Sequence, residues 1–463
     1  MAPSVAGAMD LGAPARRRAR NPMVERLKTP AAWPTILLER ADAADPTDLD
    51  VAARAGAFDG LRRVIRNFGA TATIATIASS KLRGRGGAGF PAADKWRTAA
   101  TTEAPRRYVV VNGYGADPAT GTDRFLLERD PYAVIEGAAI VAFVIGATDV
   151  IIAVRADATE AIRRLESAIG SAEEAGFIGF DVFGSAHDIA VTVRPVQGAY
   201  MLGEETVLLK ALEGKRGQPE QRPPHPAERG LFDMPTVVHN VQTVAAVPWI
   251  VRNGADAFAA IGTPDSPGTI LVQVRTPAGD GIAEVPLGTP LREIVKLGGK
   301  LPAGRSIKAV LVGGPSGGLL PAASLDTPYD FESLRAAGAH IGSGSVVVAD
   351  DRACVVDLAR ILTRFCAGEA CGKTIPCRIG TRRLVEIADR VVEGRPRPTD
   401  TTLLEDLSAD IVASALCDHE RLTTLPLLSG MRYFRSELDE HILHSACPAG
   451  VCHPIAVAAG AIP

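Results

Sequence analysis

The chain has 463 residues, 46% hydrophobic and 22% charged, which is globular composition and, at ~150 residues per domain, suggests about three domains. Lys and Arg (50) against Asp and Glu (53) give a net charge of −3, so overall charge argues against a nucleic-acid or membrane-surface partner. All seven cysteines fall between Cys354 and Cys452, which excludes a disulfide scaffold and points to metal or cluster chemistry in one module of a cytoplasmic protein.

Residues 1–55 read as a tail and N-terminal segment, in part disordered. Arg16-Arg17-Arg18-Ala19-Arg20 is followed by Asn21-Pro22-Met23 and not by an apolar stretch, so no secretory signal is expected. Residues 26–80 read as mostly helical. Between 108 and 240 strands alternate with helices: Tyr108–Asn112, Asp149–Val154 and Ala190–Val193 are apolar runs, Asp157–Ile169 has helical spacing with Asp157 as N-cap, and Glu204–Leu212 is helical. Gly137–Thr148 is apolar but lies between Glu136 and Asp149 and is far shorter than the ~20 residues of a membrane span. A small α/β module follows at 268–323, with strands at Thr269–Val274 and Ile307–Val312 and a helix at Pro290–Leu297. From Cys354 to Leu443 the period is helical, as in a bundle, with Pro426 in a first turn ahead of a helix over Leu427–Ile442. The fold class expected is α/β with a C-terminal helix bundle.

Arg83-Gly84-Arg85-Gly86-Gly87-Ala88-Gly89-Phe90-Pro91 is the first motif with chemistry in it. Its glycines allow close backbone approach to a phosphate, and Arg83 and Arg85 add positive charge. Alone it is as consistent with a structural turn. Further along come Lys95-Trp96, then Asn112 to Arg124, then Tyr200-Met201-Leu202-Gly203-Glu204-Glu205-Thr206, then Glu213-Gly214-Lys215-Arg216-Gly217, then Val238-His239-Asn240-Val241-Gln242-Thr243.

In this order the set resembles the FMN-binding subunit of bacterial NADH:quinone oxidoreductase (complex I) and its relatives in NAD-linked hydrogenases and formate dehydrogenases. The resemblance runs from about Gly56 to Cys452. It implies a Rossmann-like FMN and nicotinamide-binding domain over 56–250, a β-grasp (soluble-ligand-binding-type) module over 251–335, a cluster-carrying bundle over 336–445 and a Cys/His segment over 446–463. It also implies that residues 83–90 and Lys95 cradle FMN and the nucleotide, that Asn112, Asn240 and Thr243 serve FMN, and that Tyr200, Gly203, Glu204 and Glu205 lie beside the dinucleotide. Hydride passes between NAD(P)H and FMN, which needs no separate acid–base pair. The implied partners are a thioredoxin-like [2Fe–2S] subunit and other iron–sulfur subunits, at the periphery of a membrane complex.

Several positions depart from the family. Tyr114 and Gly115 replace two acidic residues. The change is consistent with weak NADH binding, with tolerance of NADPH, or with Tyr114 covering the flavin. His225 stands where Phe is usual, His239 where Asn is, and Gln242 where Glu is. Thr374 replaces the middle cysteine of Cys371-x-x-Thr374-x-x-Cys377, while Cys417 matches the distant ligand. Four outcomes are open for a [4Fe–4S] cluster: Cys366 as fourth ligand, a cluster on three cysteines, no cluster, or another metal. Cys354 reads as an ordinary buried bundle cysteine. Cys447 and Cys452, beside His441, His444 and His453, offer enough ligands for zinc or an iron–sulfur site, and a turn with free thiols is the equal alternative. The function expected is an NAD(P)H dehydrogenase flavoprotein subunit. The alternative is a scaffold or FMN-binding subunit that does not oxidise NADH, or one with a different electron donor.

Overall fold

The computed structural model describes residues 24–452. The expectation of a tail over the first residues therefore falls largely outside the described residues, as does His453.

Four parallel strands, β1 (Tyr108–Gly113), β2 (Asp149–Arg155), β3 (Ala190–Val196) and β4 (Thr236–Asn240), form one sheet in the order β3-β2-β1-β4. The central strands are apolar on both faces, as sandwiched parallel strands must be. Val109, Val111 and Ile152 join the large core, while Tyr108, Val110 and Ala153 join a second cluster on the opposite face. The principal helices of this domain are α1 (Gly69–Ser79), α2 (Ala92–Thr101), α3 (Pro131–Ile145), α4 (Thr159–Glu174), α5 (Glu205–Leu212) and α6 (Val241–Asn253). Asp130 caps α3 through the amide of Ala133, and Pro131 fits its first turn. The apolar stretch from Gly137 falls in this core helix, and no helix among the described residues is long and apolar enough to cross a membrane. Pro248 lies inside α6 and has no N–H to offer the Val244 carbonyl. That carbonyl packs against Gly137 of α3, where a Cβ would meet it at 1.9 Å.

Two local expectations are corrected. Residues 26–48 are not helical, because the amides of Ile36, Leu37 and Leu38 bind the buried Glu284 carboxylate at 2.8–3.0 Å. Asp157 does not cap α4. Its carboxylate is held by the Arg155 guanidinium at 2.8 Å, and the cap position, Ala158, has no side-chain bond.

The second sheet is mixed, with β5 (Thr269–Thr276), β6 (Gly279–Pro286), β7 (Ile307–Val312), β8 (Gly318–Pro321) and β9 (Ser345–Asp350) in the order β6-β5-β9-β7-β8. The last strand lies in the middle, parallel to β5 and antiparallel to β7. The sheet thus includes chain beyond the boundary expected at 335.

The bundle follows directly: α7 (Val355–Gly368), α8 (Thr381–Val392), α9 (Asp400–Ser414), α10 (Leu425–Tyr433) and α11 (Arg435–His444). Leu362, Leu384, Val391 and Leu427 share its core with Leu311 and Leu319 of the second sheet. Pro426 sits in the first turn of α10, but Phe434 leaves helical geometry, so the single helix expected over 427–442 is two.

Candidate functional site

In the parallel sheet the chain steps from β1 to β2 to β3 and then returns to the other side of β1 as β4. The β1–β4 junction is therefore the topological switch point, where open α/β sheets bind ligands beyond the strands' carboxyl ends. Asn112 is the penultimate residue of β1 and Asn240 the last of β4, and the two are in register. Asn112 Nδ2 donates to the Gly203 carbonyl at 3.1 Å. Asn240 caps α6 through the Gln242 amide at 2.9 Å and donates to Asp123 at 2.6 Å. Gly86 lies over Asn240, with room for a Cβ only at 3.4 Å from the Asn240 Cβ.

The Gly-rich loop joins α1 to α2 and is closed at its neck by the Gly84 amide on the Phe90 carbonyl at 2.9 Å. Gly87 has φ +110° and packs on the Gly342 backbone. The two arginines do not offer their guanidinium groups to this loop's mouth, contrary to expectation. Arg83 donates to the Gly89 and Asp265 carbonyls, pairs with Glu332 at 2.5 Å and lies 4.2 Å from the Phe331 ring centroid. Arg85 is 1% exposed and donates to the carbonyls of Pro267, Thr269 and Arg83. Loop carbonyls and the second sheet have captured both side chains, so they lock the two domains together. Thr243 likewise serves the loop, accepting the Arg85 amide at 2.8 Å.

Lys95 on α2 reaches Glu205 at 2.6 Å and the Val238 carbonyl at 3.2 Å, with exposed Phe90 beside it. Burial works against the Glu205 carboxylate, but Lys95 and Arg222 hold its pKa below the usual range. Glu204 caps α5 through the Val207 amide and pairs with Arg222. The Tyr200 amide donates to Glu369 at 2.8 Å, and its ring meets Phe365 and His419 of the bundle side. Tyr114 is 4% exposed, packs in the same cluster as Met201 and Leu202, and donates to the Gly198 carbonyl at 2.6 Å. It pins the segment ahead of Tyr200 from beneath and does not project as a lid. His225 is an exposed loop residue.

His239 is buried under the site, where its Nε2 accepts the Trp96 indole N–H at 2.7 Å. Burial and nearby Lys95 push its pKa down to about 3. The unfolded chain then binds a proton that the folded chain refuses between about pH 6.5 and about 3, so this group's stability contribution is lost as pH falls through that window. Buried Asp117 and Asp123, raised to about 6 by burial, act in the opposite direction between about pH 3.8 and 6. A His239→Asn variant isolates the histidine. Its urea-unfolding free energy relative to wild type should improve by roughly 1 kcal/mol per pH unit below pH 6; a pH-independent difference would contradict the buried neutral ring.

Cys371, Cys377 and Cys417 gather where the bundle meets the α/β domain. Cys371 and Cys417 pack on the cluster of Tyr114 and Met201. Burial raises the Cys377 thiol to about 12, with Glu420, Cys417 and Cys371 adding to the effect. Burial raises the Cys417 thiol to about 11, against the Glu420 backbone amide, which lowers it, and with Glu204 and Cys371 adding to the rise. Thr374 Oγ1 donates to Glu420 at 2.8 Å. Cys366 is fully buried on α7, with its thiol bonded to Thr423.

A second sulfur site lies at the end of the bundle. Cys354, His441, Cys447 and Cys452 bring one ligand atom each within 4.8 Å of one another. Cys354 is buried, as expected of a bundle cysteine, and the fold in addition places it among these donors. The Cys354 and Cys452 sulfurs are 3.7 Å apart, and each is 3.5 Å from His441 Nε2. Tetrahedral zinc, with Zn–S of ~2.3 Å and Zn–N of ~2.0 Å, sets such donors ~3.8 Å and ~3.5 Å apart. The Glu437 carbonyl at 2.8 Å accepts from His441 Nδ1, which leaves Nε2 free to ligate. Burial opposes ionisation of Cys447, yet the Cys452 and Val451 amides lower its thiol to about 7. His444 is exposed and stands outside the group.

Residues 77–249 match the family described as Nuo51 FMN-binding domain, and residues 357–441 the NADH-ubiquinone oxidoreductase-F iron–sulfur binding region. The chain is 42% identical over 410 residues to the HndC component of the NADP-reducing hydrogenase of Solidesulfovibrio fructosivorans, covering 88% of this chain and 83% of that one. This chain is a member of the Nuo51 flavoprotein family. It is also 39% identical to an NADH-quinone oxidoreductase subunit of Rhizobium meliloti (strain 1021), over 89% of this chain and 99% of the relative. Among solved structures it resembles an NAD+-reducing [NiFe]-hydrogenase in the H2-reduced state, with TM-score 0.78 and 31% identity over 88% of this chain and 66% of that one.

Within this Nuo51 frame, three participants were not singled out as site residues by the sequence: Asp123, Cys354 and Glu420. Asp123 lies inside the Asn112–Arg124 motif, where nothing local marks it as the partner of Asn240. Cys354 lies 87 positions from His441.

Proposed function

We propose that this Nuo51 chain exchanges hydride with a nicotinamide nucleotide on FMN held at the β1–β4 switch point, within a multi-subunit complex. The observation that carries this reading is the in-register pair Asn112 and Asn240 beneath the Gly-rich loop. The residues fit FMN. The glycines let the loop backbone approach a phosphate closely, Gly86 has no side chain to fill the space over Asn240, and buried Arg85 adds positive field below without contact. FMN, when bound, accepts hydride at its ring and releases electrons one at a time. Lys95 and Glu205, paired beside Phe90, orient the nucleotide. The Tyr200 segment, held by Asn112, Tyr114 and Glu369, closes the cleft toward the bundle and its cysteines. Cys371, Cys377 and Cys417 would hold an iron–sulfur cluster as the electron exit, and Cys354, His441, Cys447 and Cys452 would hold zinc. A thioredoxin-like [2Fe–2S] subunit is the partner this family implies, in the cytoplasm.

Anaerobic visible spectra before and after NADH, then NADPH, test the reading. Flavin bands should bleach with at least one nucleotide, and the responsive nucleotide fixes the preference. A Lys95→Ala variant should keep its flavin and lose at least tenfold in reduction rate. Flavin left oxidised by both nucleotides would show another donor, and a colourless protein would leave a scaffold.

A further inference from the structure

Glu420 is a buried carboxylate with few partners. It is 1% exposed, and its two oxygens accept the Thr374 hydroxyl at 2.8 Å and the Leu416 amide at 2.9 Å. An ionised carboxylate has about four acceptor positions, so about half remain open. Glu284, almost as buried, accepts three backbone amides and the Thr269 hydroxyl. No ion pair reaches Glu420 among the described residues. Buried charge persists when it is paired or bound to a metal.

Its location is informative. Thr374 occupies the middle position between Cys371 and Cys377, and its hydroxyl aims at Glu420. The carboxylate thus lies one hydrogen bond beyond the end of that short side chain. Glu420 belongs to the helical turn Asp418–Leu422, whose N-cap is Cys417. Its backbone amide hydrogen-bonds the Cys417 sulfur, which places the residue directly beside that cysteine. Cys366 is directed elsewhere, toward Thr423.

We propose that the Glu420 carboxylate is the fourth protein ligand of an iron–sulfur cluster held otherwise by Cys371, Cys377 and Cys417, with Thr374 as the positioning residue that orients it. The assignment rests on the iron–sulfur reading of this region given above. A threonine hydroxyl must ionise before it can replace a thiolate, and a carboxyl group gives up its proton far more readily than an alcohol does. One oxygen donor among three thiolates gives the cluster a single harder, more exchangeable iron.

The full chain, reconstituted anaerobically with ferrous iron and sulfide, is assayed for bound iron and sulfide and by electron paramagnetic resonance. Wild type should bind four irons and be silent until reduced. Glu420→Ala should lose one iron and show a three-iron signal when oxidised. Thr374→Cys combined with Glu420→Ala should return to four irons, which separates ligand loss from misfolding. Wild type that binds no cluster would overturn the iron–sulfur reading together with this inference. Wild type and Glu420→Ala with four irons and identical spectra would overturn this inference alone, as would a double variant that stays at three.

Discussion

A Cys354→Ser variant is expected to purify without zinc, although Cys354 lies 98 positions from Cys452. Wild type should carry about one zinc per chain by elemental analysis, and Cys447→Ser should lose it likewise. His444→Ala should retain it, because that side chain is exposed at the end of α11 and outside the four-donor group. The effect is large because three cysteines and a histidine converge with little else to hold the segment after α11. Its small apolar cluster consists of Cys354, Val392 and Cys452, with Val356, Cys447 and Ala449 against it. Without metal, the neighbouring Cys452 thiol and then burial disfavour thiolate at Cys354. Removing a structural metal should cost on the order of 3–5 kcal/mol locally. Hydrogen exchange should show the loss at residues 445–452 and the start of α7, with the parallel sheet unchanged. Retention of zinc by Cys354→Ser would refute the four-residue site.

The second large effect is expected at Gly137. A Gly137→Ala variant should lose at least about 3 kcal/mol in urea unfolding and much of its soluble yield. The added Cβ would sit 1.9 Å from the Val244 carbonyl oxygen and 3.3 Å from the Pro248 ring, and neither is a flexible side-chain tip. Helices α3 and α6 would have to separate, and both line the largest core. Gly60 meets the same junction from a third helical segment, since its Cβ would lie 2.9 Å from Glu136 and 3.2 Å from Pro248. Gly170, on α4, provides the control. Nothing lies within 4 Å of its Cβ position, so Gly170→Ala should gain roughly 0.5–1 kcal/mol. Equal effects at the two sites would contradict the close packing at Pro248.

The parallel strands can be read from the sequence because burial on both faces writes itself as unbroken apolar runs, as in Val109-Val110-Val111. Asn112 and Asn240 are legible as members of motifs, and the structure adds that they are neighbours across two paired strands. Arg83 and Arg85 show the limit of residue type. Arginine beside glycines suggests phosphate, but carbonyls of residues about 180 positions away claim both guanidinium groups. No local pattern encodes that competition. Cys354 looks like a core residue in sequence for the same reason, since its partners are close only once α11 folds back along α7. Glu420 has a faint signal, just past Cys417, with nothing in its spacing to distinguish it from a surface acid. The helical reading of 26–48 fails because an acid at 284 supplies the amides with a better acceptor than a helix would.

The position of β9 has a consequence for dissecting the molecule. The central strand of the mixed sheet is the last to be synthesised, so β5 and β7 have no common neighbour until residue 350 has been made. A fragment cut at 335 would keep every other strand of that sheet yet expose two long open edges facing one another, the kind of surface that recruits foreign strands. Cutting later does not spare the bundle, since Val355 follows Asp350 after four residues and the two share one hydrophobic core through Leu311 and Leu319. Sheet and bundle are thus a single unit of manufacture, and the cysteine-bearing bundle cannot be detached from the module that precedes it without leaving a sticky remnant.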